Sequence, residues 1–267
     1  MFQDKVVVIT GSTQGIGLKT AELLGKRGAK LVINSRSPQK VDKAVSFLKQ
    51  FTSEVIGISG DVSDARFCDE LKETTVQKFG KIDILINNAG VASSGLVSEL
   101  HSAAFEKIVQ INFLGSVHPT LALLPEITQQ KGDIIFISSI AGILGLPGYS
   151  AYSATKRAIV SFAESLKIEL SDTGVFVGIN YPGFTENDVQ KTILNAKGEE
   201  EILKKRDGIK ATSQEKTALE IIKQIEKRRF RAYSSISGKF IQLLVRFFPK
   251  LTITILSKLR KRMESMQ

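Results

Sequence analysis

The chain alternates short apolar runs with longer segments whose apolar positions recur every three or four residues. Val6, Val7, Val8 and Ile9 form the first run, apolar on successive positions and so on both faces of an extended strand. Further runs follow at 31–33, 55–59, 82–87, 134–138 and 175–181. Helical periodicity fills the intervals, over residues 16–28, 38–51, 65–79, 102–129, 152–171 and 213–228. Ser63 or Asp64 is the expected cap of the third helix. Strands that are apolar on both faces, each followed by a helix, predict an α/β chain: a doubly wound parallel sheet covered by helices on each side. Residues 184–213 break the pattern. They are polar and charged, with Glu199-Glu200-Glu201 and Lys204-Lys205-Arg206 in a helix-like run. Their place after the sixth strand suits a lid, and a solvated surface helix fits the same charges equally.

Composition narrows the picture. With 267 residues, 42% hydrophobic and 24% charged, the chain can build one substantial core. Its single cysteine, Cys68, excludes an intrachain disulfide, and with only His101 and His118 beside it no zinc-like ligand set is expected. The net charge of +10 is unevenly placed. Residues 1–226 carry 26 basic and 26 acidic side chains, whereas residues 227–262 carry 11 basic and none acidic. The expected division is a catalytic body over 1–235 and a basic amphipathic tail over 236–267 that is not a separate domain.

In that tail Phe240, Leu243, Leu244, Phe247, Phe248 and Leu251 mix with Arg246, Lys250, Lys258 and Arg260. Pro249 should break it into two short helices. Three readings stay open: contact with an anionic membrane surface, packing on the body or a second subunit, and closure over the substrate site. The body is neutral and no aromatic-basic platform occurs, so no nucleic acid partner is expected. No uninterrupted run of about 20 apolar residues occurs, so no membrane-crossing helix is expected either. The first strand begins with no basic, apolar leader before it, which predicts a chain that is cytoplasmic or peripheral on the cytoplasmic face of a membrane.

The first strand runs into Gly11-Ser12-Thr13-Gln14-Gly15-Ile16-Gly17. Glycines there let the backbone turn sharply and approach a pyrophosphate, and the following helix start offers N–H groups and a positive dipole end. At the end of the second strand, where an acid would accept ribose hydroxyls, the chain has Asn34-Ser35-Arg36-Ser37. Arg36 suits a 2′-phosphate, which favours NADP(H) over NAD(H); its plain alternative is an exposed arginine. Asp61, after the third strand, can accept from an adenine amino group or serve as a helix cap.

Tyr152 and Lys156 stand one helical turn apart, thirteen residues after Ser139. A phenol has an ordinary pKa of about 10, and an ammonium on the same helix face biases it toward its charged form. A serine hydroxyl delivered from a neighbouring strand end can hydrogen-bond the same substrate oxygen. The three together can move a proton to or from an alcohol or carbonyl oxygen.

Thr10-Gly11-x-x-x-Gly15-x-Gly17, Asp61-Val62, Asn87-Asn88-Ala89-Gly90, Asn112, Ser138-Ser139, Tyr152-x-x-x-Lys156 and Pro182-Gly183, in this order, resemble the short-chain dehydrogenase/reductase family over about residues 5–185. The resemblance implies a Rossmann-type domain with about seven strands. It also implies a tetrad of Asn112, Ser139, Tyr152 and Lys156, with Asn112 fixing a water and Lys156 also holding the nicotinamide ribose. Asn87 would brace the sheet, Ala89 and Gly90 would line the cofactor, and Asn88 would do either. Val62, Pro182, Gly183 and Thr185 fall on cofactor-side positions. Where the family usually has threonine, four residues after the Pro-Gly glycine, this chain has Asn187. Its end departs from the family too: Phe230-Arg231-Ala232-Tyr233 leads into the basic tail. The implied activity is hydride transfer to or from a small-molecule carbonyl or alcohol. With Arg36 the expected enzyme is an NADP(H)-dependent carbonyl reductase or alcohol dehydrogenase, and a tail seated on a membrane would favour a lipid-like or steroid-like ketone. A homo-oligomer paired through the helices near 102–129 and 152–171 is implied as well. The rival class is a catalytically silent cofactor-sensing or scaffold protein on the same fold.

Overall fold

A computed structural model of the chain describes residues 1–186, 192–203 and 211–264. Asn187 and the Lys204-Lys205-Arg206 run lie outside the described residues. Seven parallel strands form the central sheet: β1 (Val6–Ile9), β2 (Lys30–Ser35), β3 (Val55–Ser59), β4 (Ile84–Asn87), β5 (Asp133–Ile137), β6 (Phe176–Tyr181) and, after a small hairpin, β9 (Arg231–Tyr233). They lie in the order β3-β2-β1-β4-β5-β6-β9. The chain order reverses between β1 and β4, the place where doubly wound sheets open a crevice for a ligand.

The apolar runs explain the layers. Val7 and Ile9 of β1 point to one face, with Leu31, Ile33, Ile84 and Ile86, and meet the helices α1 (Gly15–Gly25), α2 (Pro38–Leu48) and α7 (Gln214–Glu226). Val6 and Val8 point to the other, with Leu85, Ile134 and Phe136, and meet α3 (Ala65–Phe79), α5 (Gly115–Gln129) and α6 (Ser150–Glu169). Asp64 caps α3 by accepting from the Arg66 N–H, and Gly80 in the left-handed region ends it.

Three expectations need correction. The 102–129 segment is not one regular helix: α4 (Ser102–Val109) passes through a π-helical turn, Gln110–Leu114, into α5, which holds Pro119 and Pro125. This segment is long and apolar enough to cross a bilayer, yet it packs on the sheet, with Ile108, Leu123 and Ile127 wholly buried. Glu199-Glu200-Glu201 is not helical, since β7 (Thr192–Leu194) and β8 (Glu200–Ile202) form an antiparallel hairpin. Finally, Arg231-Ala232-Tyr233 closes the sheet as β9, with Tyr233 stacked on Tyr181 at 5.0 Å. The tail then breaks before Pro249 as expected, into α8 (Ile236–Phe247) and α9 (Pro249–Glu264), bent by 118°.

Candidate active site

The crevice begins where β1 ends. Gly11 and Gly15 both take φ of 60°, which only glycine adopts freely. A Cβ on Gly17 would lie 2.5 Å from Asn88 Nδ2 and 2.8 Å from the Gly11 carbonyl, so the turn closes only without a side chain there. Asn88 Nδ2 donates to the Thr10 and Gly11 carbonyls at 3.0 and 2.8 Å, and Thr10 Oγ1 accepts from the Asn88 and Ala89 N–H groups. Ser12 faces inward: its hydroxyl donates to the Ile9 carbonyl at 2.6 Å, and its N–H donates to the Asn34 carbonyl at 2.9 Å. Ser12 is therefore a brace, and it leaves Thr13, Gln14 and Ile16 as the side chains around the start of α1. No side chain caps that helix start and no acid stands in its first turn, so its N–H groups and dipole suit a phosphate.

Arg36 follows β2 and is exposed, with its guanidinium 4.0 Å from a Glu200 carboxyl oxygen on the hairpin. Ser37 accepts from the Lys40 N–H and caps α2. Asp61 Oδ1 accepts from both the backbone N–H and the hydroxyl of Ser63, at 2.9 and 2.8 Å. Asp61 therefore braces the turn before α3, and the helix-cap role raised for it from the sequence falls to Asp64 instead. Val62 is buried. Cys68 is buried on α3, and burial, with nearby Asp69, Asp64 and Asp61, pushes its thiol up to about 12, far from a reactive thiolate.

The tetrad residues come from three elements. Asn112 is wholly buried in the π-helical turn, where its amide acts as a strand partner for Val91: Oδ1 accepts from the Val91 N–H at 2.7 Å and Nδ2 donates to the Val91 carbonyl at 2.9 Å. The same Nδ2 reaches Thr155 Oγ1 at 3.3 Å. Lys156 is 4% exposed, and its ammonium donates to the Ile137 carbonyl at 2.9 Å. It lies 5.8 Å from the centroid of the half-buried Tyr152 ring. A Cβ on Gly90 would come within 3.2 Å of Asn112 Oδ1 and 3.3 Å of Lys156 Nζ, so the Asn-Asn-Ala-Gly turn, the amide and the ammonium converge. Ser139 opens a short 3-10 turn, where its oxygen accepts from the Ala141 N–H at 3.2 Å and its O–H remains a donor.

The sequence profile described as "short chain dehydrogenase" matches residues 5–198. The chain belongs to the short-chain dehydrogenase family. Among its relatives, an uncharacterised oxidoreductase of Thermotoga maritima is 35% identical over 206 residues, 76% of this chain and 81% of that one. An 11-beta-hydroxysteroid dehydrogenase-like protein of Arabidopsis thaliana is 38% identical over 187 residues, 69% of this chain and 60% of that one. A short-chain dehydrogenase/reductase of Burkholderia phymatum, crystallised with NAD, superposes with a TM-score of 0.81 at 24% identity, over 94% of this chain and 96% of that one. The chain is thus an oxidoreductase of the short-chain dehydrogenase family.

Beyond β6, the Pro182 carbonyl accepts from the Ile140 N–H at 3.2 Å, tying the Pro-Gly turn to the segment after Ser139. Thr185 Oγ1 donates to the Gly183 carbonyl, and Thr185 bridges to Thr212. Three site features escaped the sequence reading. Asn34 locks three strand ends, since its Nδ2 donates to the Ile58 and Gly60 carbonyls while its own N–H donates to Ser12 Oγ. Thr155 joins Asn112 to α6. The hairpin straps the β2 end to the segment after β4: Glu200 pairs with Arg36, while the Ser94 N–H donates to the Leu194 carbonyl at 2.9 Å and the Leu194 N–H to Ala92. The detectable signal for Asn34 was an amide directly after the apolar run Leu31-Val32-Ile33.

Proposed function

We propose that this chain is a carbonyl reductase that uses NADP(H) in preference to NAD(H), acting on an apolar ketone. The observation that carries the reading is the enclosed Lys156 ammonium beside the Tyr152 ring, under the Gly90 turn and within reach of Asn112. The glycine cradle and the uncapped start of α1 fit the cofactor's pyrophosphate, and Arg36 suits an adenosine 2′-phosphate. A nicotinamide cofactor supplies the hydride when bound.

The chain's own residues handle the oxygen of the carbonyl. Tyr152 gives its phenolic proton to that oxygen as charge develops there, and Ser139 donates a hydrogen bond to it. Lys156 supports the negative charge left on the phenol oxygen. Asn112 holds the Val91 backbone that fixes the approach of Gly90. The apolar substrate class is supported by the likeness to the steroid dehydrogenase-like relative and by the apolar segment that follows Ser139.

The test is turnover of a ketone panel followed by loss of NADPH absorbance. Tyr152→Phe should keep cofactor binding, read by fluorescence, while turnover drops at least about a hundredfold. Normal turnover in that variant would refute the assignment. The unmodified chain should bind NADPH more tightly than NADH, and Arg36→Ala should erase the difference. Equal affinities before the substitution would overturn the reading of Arg36.

A further inference from the structure

One face of α8 is satisfied by the body, since Ile241 and Val245 pack against the core cluster of Phe136, Val160 and Tyr181. The opposite face is not. Phe240, Leu243 and Phe247 stand exposed there, Phe240 and Phe247 at 65% and 64%, and Phe248 and Leu251 are exposed just beyond the helix. Of the fifteen large apolar side chains exposed among the described residues, seven lie between residues 240 and 255. A patch concentrated to that degree marks a contact surface.

Its charges indicate what it touches. The eleven basic residues of 227–262 have no acid among them. Arg228 pairs with Asp133 and Arg231 with Glu164 ahead of the two helices. Lys239, Arg246 and Lys250 lie alongside the exposed phenylalanines. A second copy of this chain would bring the same cations against them, so self-pairing is electrostatically opposed, whereas an acidic surface is attracted. Shape points the same way. At 1.5 Å per residue, the 12 residues of α8 and the 16 of α9 reach about 18 and 24 Å, short of a hydrocarbon core about 30 Å thick. The 118° bend prevents them from acting as one straight span.

We propose that α8 and α9 seat the protein on an anionic lipid surface, with the phenylalanine face in the acyl boundary and the lysines and arginines on acidic headgroups. A groove of about 750 Å³ lies between Ile253 and Leu256 of α9 and the segment Ala141, Leu144 and Pro147 that follows Ser139. On the carbonyl-reductase reading above, a lipid-dissolved ketone reaches the site along this groove; docking itself does not depend on that reading.

The full chain is floated with vesicles of phosphatidylcholine alone and of phosphatidylcholine mixed with phosphatidylglycerol, with its mass in solution measured by sedimentation. It should rise with the mixed vesicles only, and added salt should release it. Lys239→Glu with Lys250→Glu, and separately Phe240→Ser with Phe247→Ser, should each weaken partitioning at least about tenfold while melting and NADPH binding stay unchanged. Absence from both vesicle fractions overturns the proposal, as does flotation indifferent to both pairs of substitutions. A dimer split by the phenylalanine substitutions, with no flotation, assigns the face to a second copy and also overturns it. Flotation without ketone turnover would leave docking standing and remove the reductase reading alone.

Discussion

The Asn112 amide sits where a strand neighbour would otherwise be needed. It satisfies both backbone groups of Val91 and is itself held by the widened π-helical turn, in which the Gly115 N–H reaches back to the Gln110 carbonyl. Asn112→Ala leaves the Val91 N–H and carbonyl without these partners, at a cost of about 1–3 kcal/mol per buried group. The expected outcome is a lower melting temperature together with a lower kcat, because Gly90 loses its fixed approach to Lys156. A melting temperature equal to that of the unmodified chain would show that water replaces the amide without loss. At this scale the sequence was informative where spacing alone defines a relationship, as for Tyr152 and Lys156 on one helix face. It was silent where a side chain bonds to remote backbone: nothing near Ser12 in the chain announces that its hydroxyl bonds to Ile9 and Asn34 and so turns away from the crevice.

Among the elements, the β7–β8 hairpin departs most from its expected form. Three consecutive glutamates followed by basic residues imitate a surface helix, and that periodicity concealed a turn. Asn195 Oδ1 accepts from the Lys197 and Glu199 N–H groups, and Gly198 takes φ of 82°, so the chain folds back on itself. The strands of the large sheet were legible because each is apolar on both faces, and the helices because their apolar stripes repeat. β9 was not, since three residues with an exposed arginine carry no such pattern. The hairpin places Glu200 on the arginine expected to meet a 2′-phosphate. The pair is long and both side chains are more than half exposed, which limits its strength to about 1 kcal/mol or less. Glu200→Gln should therefore tighten NADPH binding, by up to about fivefold, and leave NADH binding unchanged. Equal tightening for both cofactors, measured by titration, would show that the carboxylate acts elsewhere.

Across the whole molecule, Asp83 joins the starts of two central strands. It accepts from Lys5 at 2.7 Å and from the Val6 N–H at 2.9 Å, and it pairs with Lys81 at 3.0 Å. Burial opposes its charge, yet these partners outweigh burial and hold its carboxyl below the ordinary range. A depressed folded pKa stabilises the protein fully above the unfolded value, about 3.9, and the contribution fades as pH falls through the folded one. Melting temperature should drop as the medium is acidified below about pH 4, and Asp83→Asn should be less stable at neutral pH with a shallower acid decline. An unchanged slope in that variant would place the acid sensitivity in other carboxylates. The order of the sheet also fixes what its last strand protects. β9 covers the outer side of β6 over Ile179, Asn180 and Tyr181, and the tail begins directly beyond it. Cutting the chain ahead of Arg231 would bare a row of unpaired amides and invite intermolecular strand addition, whereas trimming after Ser235 keeps that rim sealed.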